Sequence, residues 1–135
     1  MLKSHDLPRL KDAFNEKTTE TEIGRSIRRY LDMKGIFNWP THAGQIIPAR
    51  TGISDIIAVL PKSGRILAIE TKLPGWKFNP KSRHELQQRK FLENIRKSGG
   101  IAFFATTIDD VINGLMLKNE LPPLANSDIV PFKTR

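Results

Sequence analysis

The sequence predicts an α/β domain, a mixed β-sheet of four or five strands flanked by helices on both faces. Three observations point there. Ile23, Ile27, Tyr30 and Leu31 recur at helical spacing; two short runs rich in β-branched residues, 55 to 60 and 65 to 70, flank the turn signal Pro61-Lys62-Ser63-Gly64; and a helix-like stretch after them leads into the apolar run 101 to 105. Strand, helix, strand in that order is a crossover unit, so the last run should lie parallel to residues 65 to 70. With 135 residues and no internal repeat, a single domain over residues 1 to 135 with one core is expected.

Composition narrows the class. Hydrophobic residues at 39% and charged residues at 27% are those of a folded globular chain. No apolar run approaches the roughly 20 residues that span a bilayer, and the opening MLKSHDLPRLKDAFNE is too charged for a secretory leader, so a cytoplasmic location is expected. The absence of cysteine removes disulfides and thiolate zinc sites, and His5, His42 and His84 show no ligand spacing. Any metal must then be held by oxygen. A formal net charge of +8 and a pI near 10.1 point to a polyanionic partner, nucleic acid foremost.

Residues 1 to 17 mix charges with Pro8 and read as an N-terminal arm. From Thr19 a helix is predicted: the run 18 to 22 supplies N-cap candidates and first-turn acids, the apolar stripe faces a core, Arg25, Arg28, Arg29 and Lys34 take the other faces, and Gly35 supplies the stop. A strand is expected at 36 to 39, then a loop, then a short run at 45 to 47. In the approach to Asp55, Arg50 is a phosphate-contact candidate and Gly52 permits close backbone approach. After the hairpin, Trp76 and Phe78 alternate with Lys77 and Lys81, a pattern that can stack on bases or simply cover a core edge. Ser82 with Glu85 forms a capping box for a helix over 83 to 98, with Arg83 at its start and Leu86, Phe91, Leu92 and Ile95 as its apolar stripe. Thr107 and Asp110 repeat the capping signal for a last helix to about 118. Residues 121 to 135, with three prolines and Leu124, Ile129, Val130 and Phe132, read as a strap docked on the core or on a second subunit.

The chemistry gathers at the open end of the hairpin. If residues 61 to 64 form its loop, Leu60 faces Arg65, and counting outward puts Asp55 across from Glu70. Opposed residues on antiparallel strands have Cβ atoms roughly 4.5 to 5.5 Å apart, and like charges there destabilise unless a cation intervenes. The period of two places Ile57, Ala68, Glu70 and Lys72 on one face. Two carboxylates and an ammonium thus converge beside apolar runs. Hard oxygen ligands at this spacing suit Mg²⁺, and Lys72 stands where it can orient an attacking water. An acid, any residue, lysine triplet by itself is a common surface pattern; the second acid opposite the first is what makes this one unusual.

Asp55 followed by Glu70-Thr71-Lys72 after a short hairpin resembles the PD-(D/E)xK nuclease core, and the surrounding pattern is similar to its virus-type replication-repair nuclease branch, VRR-NUC, over about residues 19 to 112. Ser54 stands where the superfamily name places proline, a tolerable change because proline there only stiffens the strand entry. The resemblance implies a restriction-endonuclease-like fold and a Mg²⁺- or Mn²⁺-dependent DNA endonuclease. It implies that Asp55, Glu70 and the Thr71 carbonyl hold the metal, that a first-helix acid completes the site, and that Gln88 lies by the catalytic Lys72, positioned to hold it. Glu20 fits that acid better than Glu22, since it precedes Ile23 and Ile27 by three and seven residues. Arg50, Trp76, Lys77 and Arg83 are the candidate DNA contacts. Branched DNA in replication or repair and a homodimer are the expected substrate and assembly. A non-catalytic DNA-binding protein on the same fold, or the nuclease subunit of a larger complex, are the alternatives.

Overall fold

The computed structural model describes residues 18–41 and 54–121. The N-terminal arm, the short run at 45 to 47, Arg50, Gly52 and all of the C-terminal strap beyond Leu121 lie outside the described residues.

Helix α1, Glu20–Met33, begins where Thr19 Oγ1 accepts the Glu22 N–H at 3.1 Å. It ends at Gly35, whose φ of 70° continues the chain in a conformation that suits glycine. Strand β1, Phe37–Pro40, follows at once. Pro40 is tolerated there because β1 is the edge of the described sheet. The hairpin strands are β2, Ile56–Val59, and β3, Ile66–Thr71. Helix α2, Arg83–Lys97, crosses to β4, Ile101–Ala105, and helix α3, Ile108–Leu117, completes the described chain. The four strands run in the order β1-β2-β3-β4, antiparallel except for the parallel β3–β4 pair that the crossover demands. This is a mixed sheet flanked by helices, the restriction-endonuclease-like α/β arrangement.

The hairpin register is the predicted one. Leu60 N–H donates to Arg65 O at 2.9 Å, Gly64 takes φ 76° inside the loop, and Ile56 pairs with Ile69. Each face of the sheet then buries alternate residues. Ile56, Ala58, Leu67, Ile69 and Ala105 pack under α1 and α3 with Ile27, Leu31, Val111 and Leu115; Ile57, Ala68 and Ala102 pack under α2 with Leu92. Each large apolar side chain so buried contributes about 1.5–3 kcal/mol, and the two layers hold the sheet ends in fixed relation.

Both predicted capping boxes form only by half. Ser82 Oγ and Thr107 Oγ1 accept the N–H groups of Glu85 and Asp110, each at 3.2 Å. The reciprocal carboxylates go elsewhere: Glu85 Oε1 accepts from Trp76 Nε1 at 2.9 Å and Asn79 N at 3.2 Å, and Asp110 Oδ2 from Thr106 N at 2.8 Å. In each case the acid braces the preceding loop rather than the cap residue.

Candidate active site

Three elements end at one place. Asp55 sits in the bend that enters β2, Glu70 and Thr71 close β3, and Lys72 follows with its N–H on Ala105 O of β4 at 2.9 Å. Strand alternation sends Glu70 and Lys72 to the α2 face and Thr71 to the α1 face. The strand pairing ends at Ile56–Ile69, and Asp55, in the bend one residue earlier, lies close enough to Glu70 for its charge to act on that carboxyl. Glu70 and Lys72 are only 3% and 6% exposed, depths at which ionised side chains are rare unless paired.

Asp55 Oδ2 accepts two hydrogen bonds from Thr71, from its N–H at 3.0 Å and from its hydroxyl at 2.7 Å. Glu70 Oε1 accepts from Gln88 Nε2 at 2.7 Å, while Glu70 Oε2 and Gln88 Oε1 are buried with no hydrogen-bond partner among the described residues. Burial first, and then the neighbouring Asp55 charge, push the Glu70 carboxyl up to about 9, against the opposing pull of Lys72. Glu70 is therefore a buried acid beside a like charge, with one oxygen unanswered. Lys72 Nζ lies 5.5 Å from the ring centroid of Trp76, within cation–π range.

Gln88 departs from its expected role. It was placed to hold Lys72, but its amide donates to Glu70 instead, because α2 lays Gln88 over the end of β3 while Lys72 turns toward Trp76. Trp76 itself is half-buried, 4.6 Å from Phe104 between ring centroids and tied to Glu85, so its ring covers the sheet edge. Lys77 and Arg83 are exposed. His84, which sequence reasoning passed over, has Nε2 3.1 Å from Gln88 Nε2; the spacing of four residues on one helix face was the available signal.

On the α1 face a cleft of about 350 Å³ opens beside Asp55 and Thr71. Glu20, Gly24, Arg25 and Arg28 line it from α1, and Glu22 does not. Among the described residues, no three acids or histidines gather as one metal-holding cluster. Glu20 faces Asp55 across the cleft without joining the Asp55–Glu70 pair. That pair nonetheless fits a hard divalent cation: two carboxylates close together, one oxygen unpartnered among the described residues, and a charge repulsion that either a proton on Glu70 or a bound cation relieves.

A family model described as the VRR-NUC domain matches residues 5–107. No curated protein and no solved structure gives a match.

Proposed function

The chain belongs to the VRR-NUC domain family, a nuclease family acting on DNA, and from this premise we propose that it is a Mg²⁺- or Mn²⁺-dependent endodeoxyribonuclease working on branched or structured DNA. The observation that carries the metal dependence is the state of Glu70, a buried carboxyl held near pKa 9 next to Asp55 with Oε2 unpartnered among the described residues. A protein that only binds DNA gains nothing from two acids set where phosphate must come, since each repels it.

Asp55, Glu70 and the Thr71 carbonyl are the residues that would hold the cation, with Glu20 acting through water from across the cleft. When bound, it supplies Lewis-acid polarisation of the scissile phosphate and activation of the attacking water. Thr71 fixes Asp55, and Gln88 fixes Glu70 Oε1, so neither carboxylate must reorganise as substrate arrives. Lys72, fixed beside Trp76, positions the water and opposes the negative charge that builds on the phosphate. Arg50, Lys77 and Arg83 supply backbone contacts, and Trp76 serves by shaping the wall beside Lys72. A homodimer in the cytoplasm, presenting two sites to one branched substrate, completes the proposal.

The test is cleavage of linear, flapped and four-way DNA of one sequence, with Mg²⁺, Mn²⁺ or excess chelator. Cuts near the branch with either metal and none in chelator are expected. Undiminished cleavage in chelator would refute the metal mechanism, and equal rates on linear and branched DNA would refute the substrate class.

A further inference from the structure

Arg25 and Arg28 were read from sequence as the polar faces of a helix, yet both line the cleft that holds Asp55 and Thr71. On α1 they continue the row that begins at Glu20. A rise of about 1.5 Å per residue puts them roughly 7.5 and 12 Å beyond Glu20 along the axis, so Glu20 stands at one end of this row and the guanidinium groups lie one to two turns further along.

Arg28 is also aimed. Its Nε donates to Asn38 Oδ1 at 3.3 Å, and Asn38, 9% exposed, is itself held by donating to Asp32 Oδ1 at 2.7 Å and Ile36 O at 2.9 Å. With Nε committed, both Nη groups of Arg28 have no hydrogen-bond partner among the described residues, and the Arg25 guanidinium has none either. An arginine held by Nε presents its paired Nη donors as a fork that matches phosphate oxygens. A buried amide dedicated to orienting an arginine is more than a solvated charge requires.

We propose that Arg25 and Arg28 form a phosphate subsite for the strand being cut, holding the linkage adjacent to the scissile one, with Asn38 as the positioning residue for Arg28. This rests on the nuclease reading, and it assigns the α1 cleft rather than the exposed Lys77 and Arg83 as the place where strand register is set.

The experiment uses the full chain with two readouts. The first is equilibrium binding of a flapped DNA in Ca²⁺ against salt; the second is cleavage in Mg²⁺ of the same DNA with a neutral methylphosphonate placed singly at linkages flanking the cut. Arg25→Ala and Arg28→Ala are each expected to weaken binding on the order of tenfold and to lower the salt slope by about 0.7 to 0.9, with circular dichroism unchanged. One methylphosphonate position should slow the unaltered protein and leave Arg25→Ala no slower than it already is. Because Arg28→Ala frees Asn38 and can disturb the fold, Arg25→Ala and Arg28→Lys carry the test if it does; Arg28→Lys should retain the salt slope and lose cleavage register. Unchanged salt slope and methylphosphonate profile in Arg25→Ala would overturn the subsite even if the protein cleaves DNA. A reduced slope in a chain that cleaves nothing would support the subsite while refuting the nuclease reading.

Discussion

The two ends of the β2–β3 hairpin each bury a carboxylate, and they treat it in opposite ways. At the turn end, Glu120 is 5% exposed and faces Arg65 at 3.7 Å, while Arg65 Nε donates to Gly99 O at 2.7 Å and Lys62 Nζ to Asn119 O at 2.8 Å. At the open end, Glu70 faces another acid. Both glutamates leave Oε2 without a hydrogen-bond partner among the described residues, so an orphaned oxygen does not by itself mark a site. What separates them is the sign of the neighbour. Cations close the turn end as a brace, whereas at the open end burial and Asp55 outweigh Lys72, and Glu70 is left to hold a proton or a cation.

The sharpest way to break this contrast is to neutralise Glu70. Glu70→Gln keeps its shape and a group for Gln88, so folding and DNA affinity should survive while cleavage falls by at least about a thousandfold, the scale of losing one preorganised electrostatic group. Single-turnover assays beside a thermal melt would show it, and activity within tenfold of the parent would end the distinction between the two ends.

A second effect should appear in stability against pH. The folded-state pKa of Glu70, about 9, lies above its ordinary value of 4.5, so the folded chain binds the extra proton. Its contribution to stability is fully present below about 4.5 and is lost as pH rises through 9, by at most about 1.4 kcal/mol per unit. Melting in chelator from pH 5 to 9 should show that decline, Mg²⁺ should offset it most at the alkaline end, and Glu70→Gln should flatten it. Parallel profiles for the two proteins would contradict the assignment.

The smallest effect belongs to the brace. Arg65→Ala removes the only cation facing Glu120 among the described residues, and half-exposure of the arginine limits the cost to about 1–2 kcal/mol. Urea titration should register the loss while turnover per folded molecule stays unchanged. A fall in turnover at full folding would mean that the turn end also serves the chemistry.

Much of the open end was legible because it depends on local counting. A four-residue loop sets Leu60 against Arg65, and the pairs outward follow as far as Ile56 and Ile69, which is how Asp55 and Glu70 could be expected at one end of the hairpin before any coordinates. The N-caps at Ser82 and Thr107 were legible for the same reason, and the one at Thr19 lies within the run 18 to 22 that offered candidates. The rest depended on distance. Arg65 and Glu120 meet from distant parts of the sequence, Glu85 prefers the Trp76 indole to its own cap, and Gln88 chooses Glu70 over Lys72. Long side chains select partners from whatever tertiary packing delivers, and periodicity carries no record of that. Arg28 shows the limit most clearly, since its direction is set by Asn38, a residue of the neighbouring strand.

Successive N–H groups of a strand alternate in direction. That of Lys72 goes to β4, so that of Thr71 points toward β2 just where β2 has bent away, and the Asp55 carboxylate fills the gap. One acid thereby terminates the hydrogen-bond ladder and lines the cleft on the α1 face. The Thr71 amide becomes a built-in reporter: its exchange with deuterium should be slow whenever Asp55 is seated, slower still with a divalent ion present, and fast in Asp55→Ala but not in Asp55→Asn, which keeps the acceptor. A single peak in a heteronuclear spectrum would then follow the occupancy of the centre without any DNA being cut.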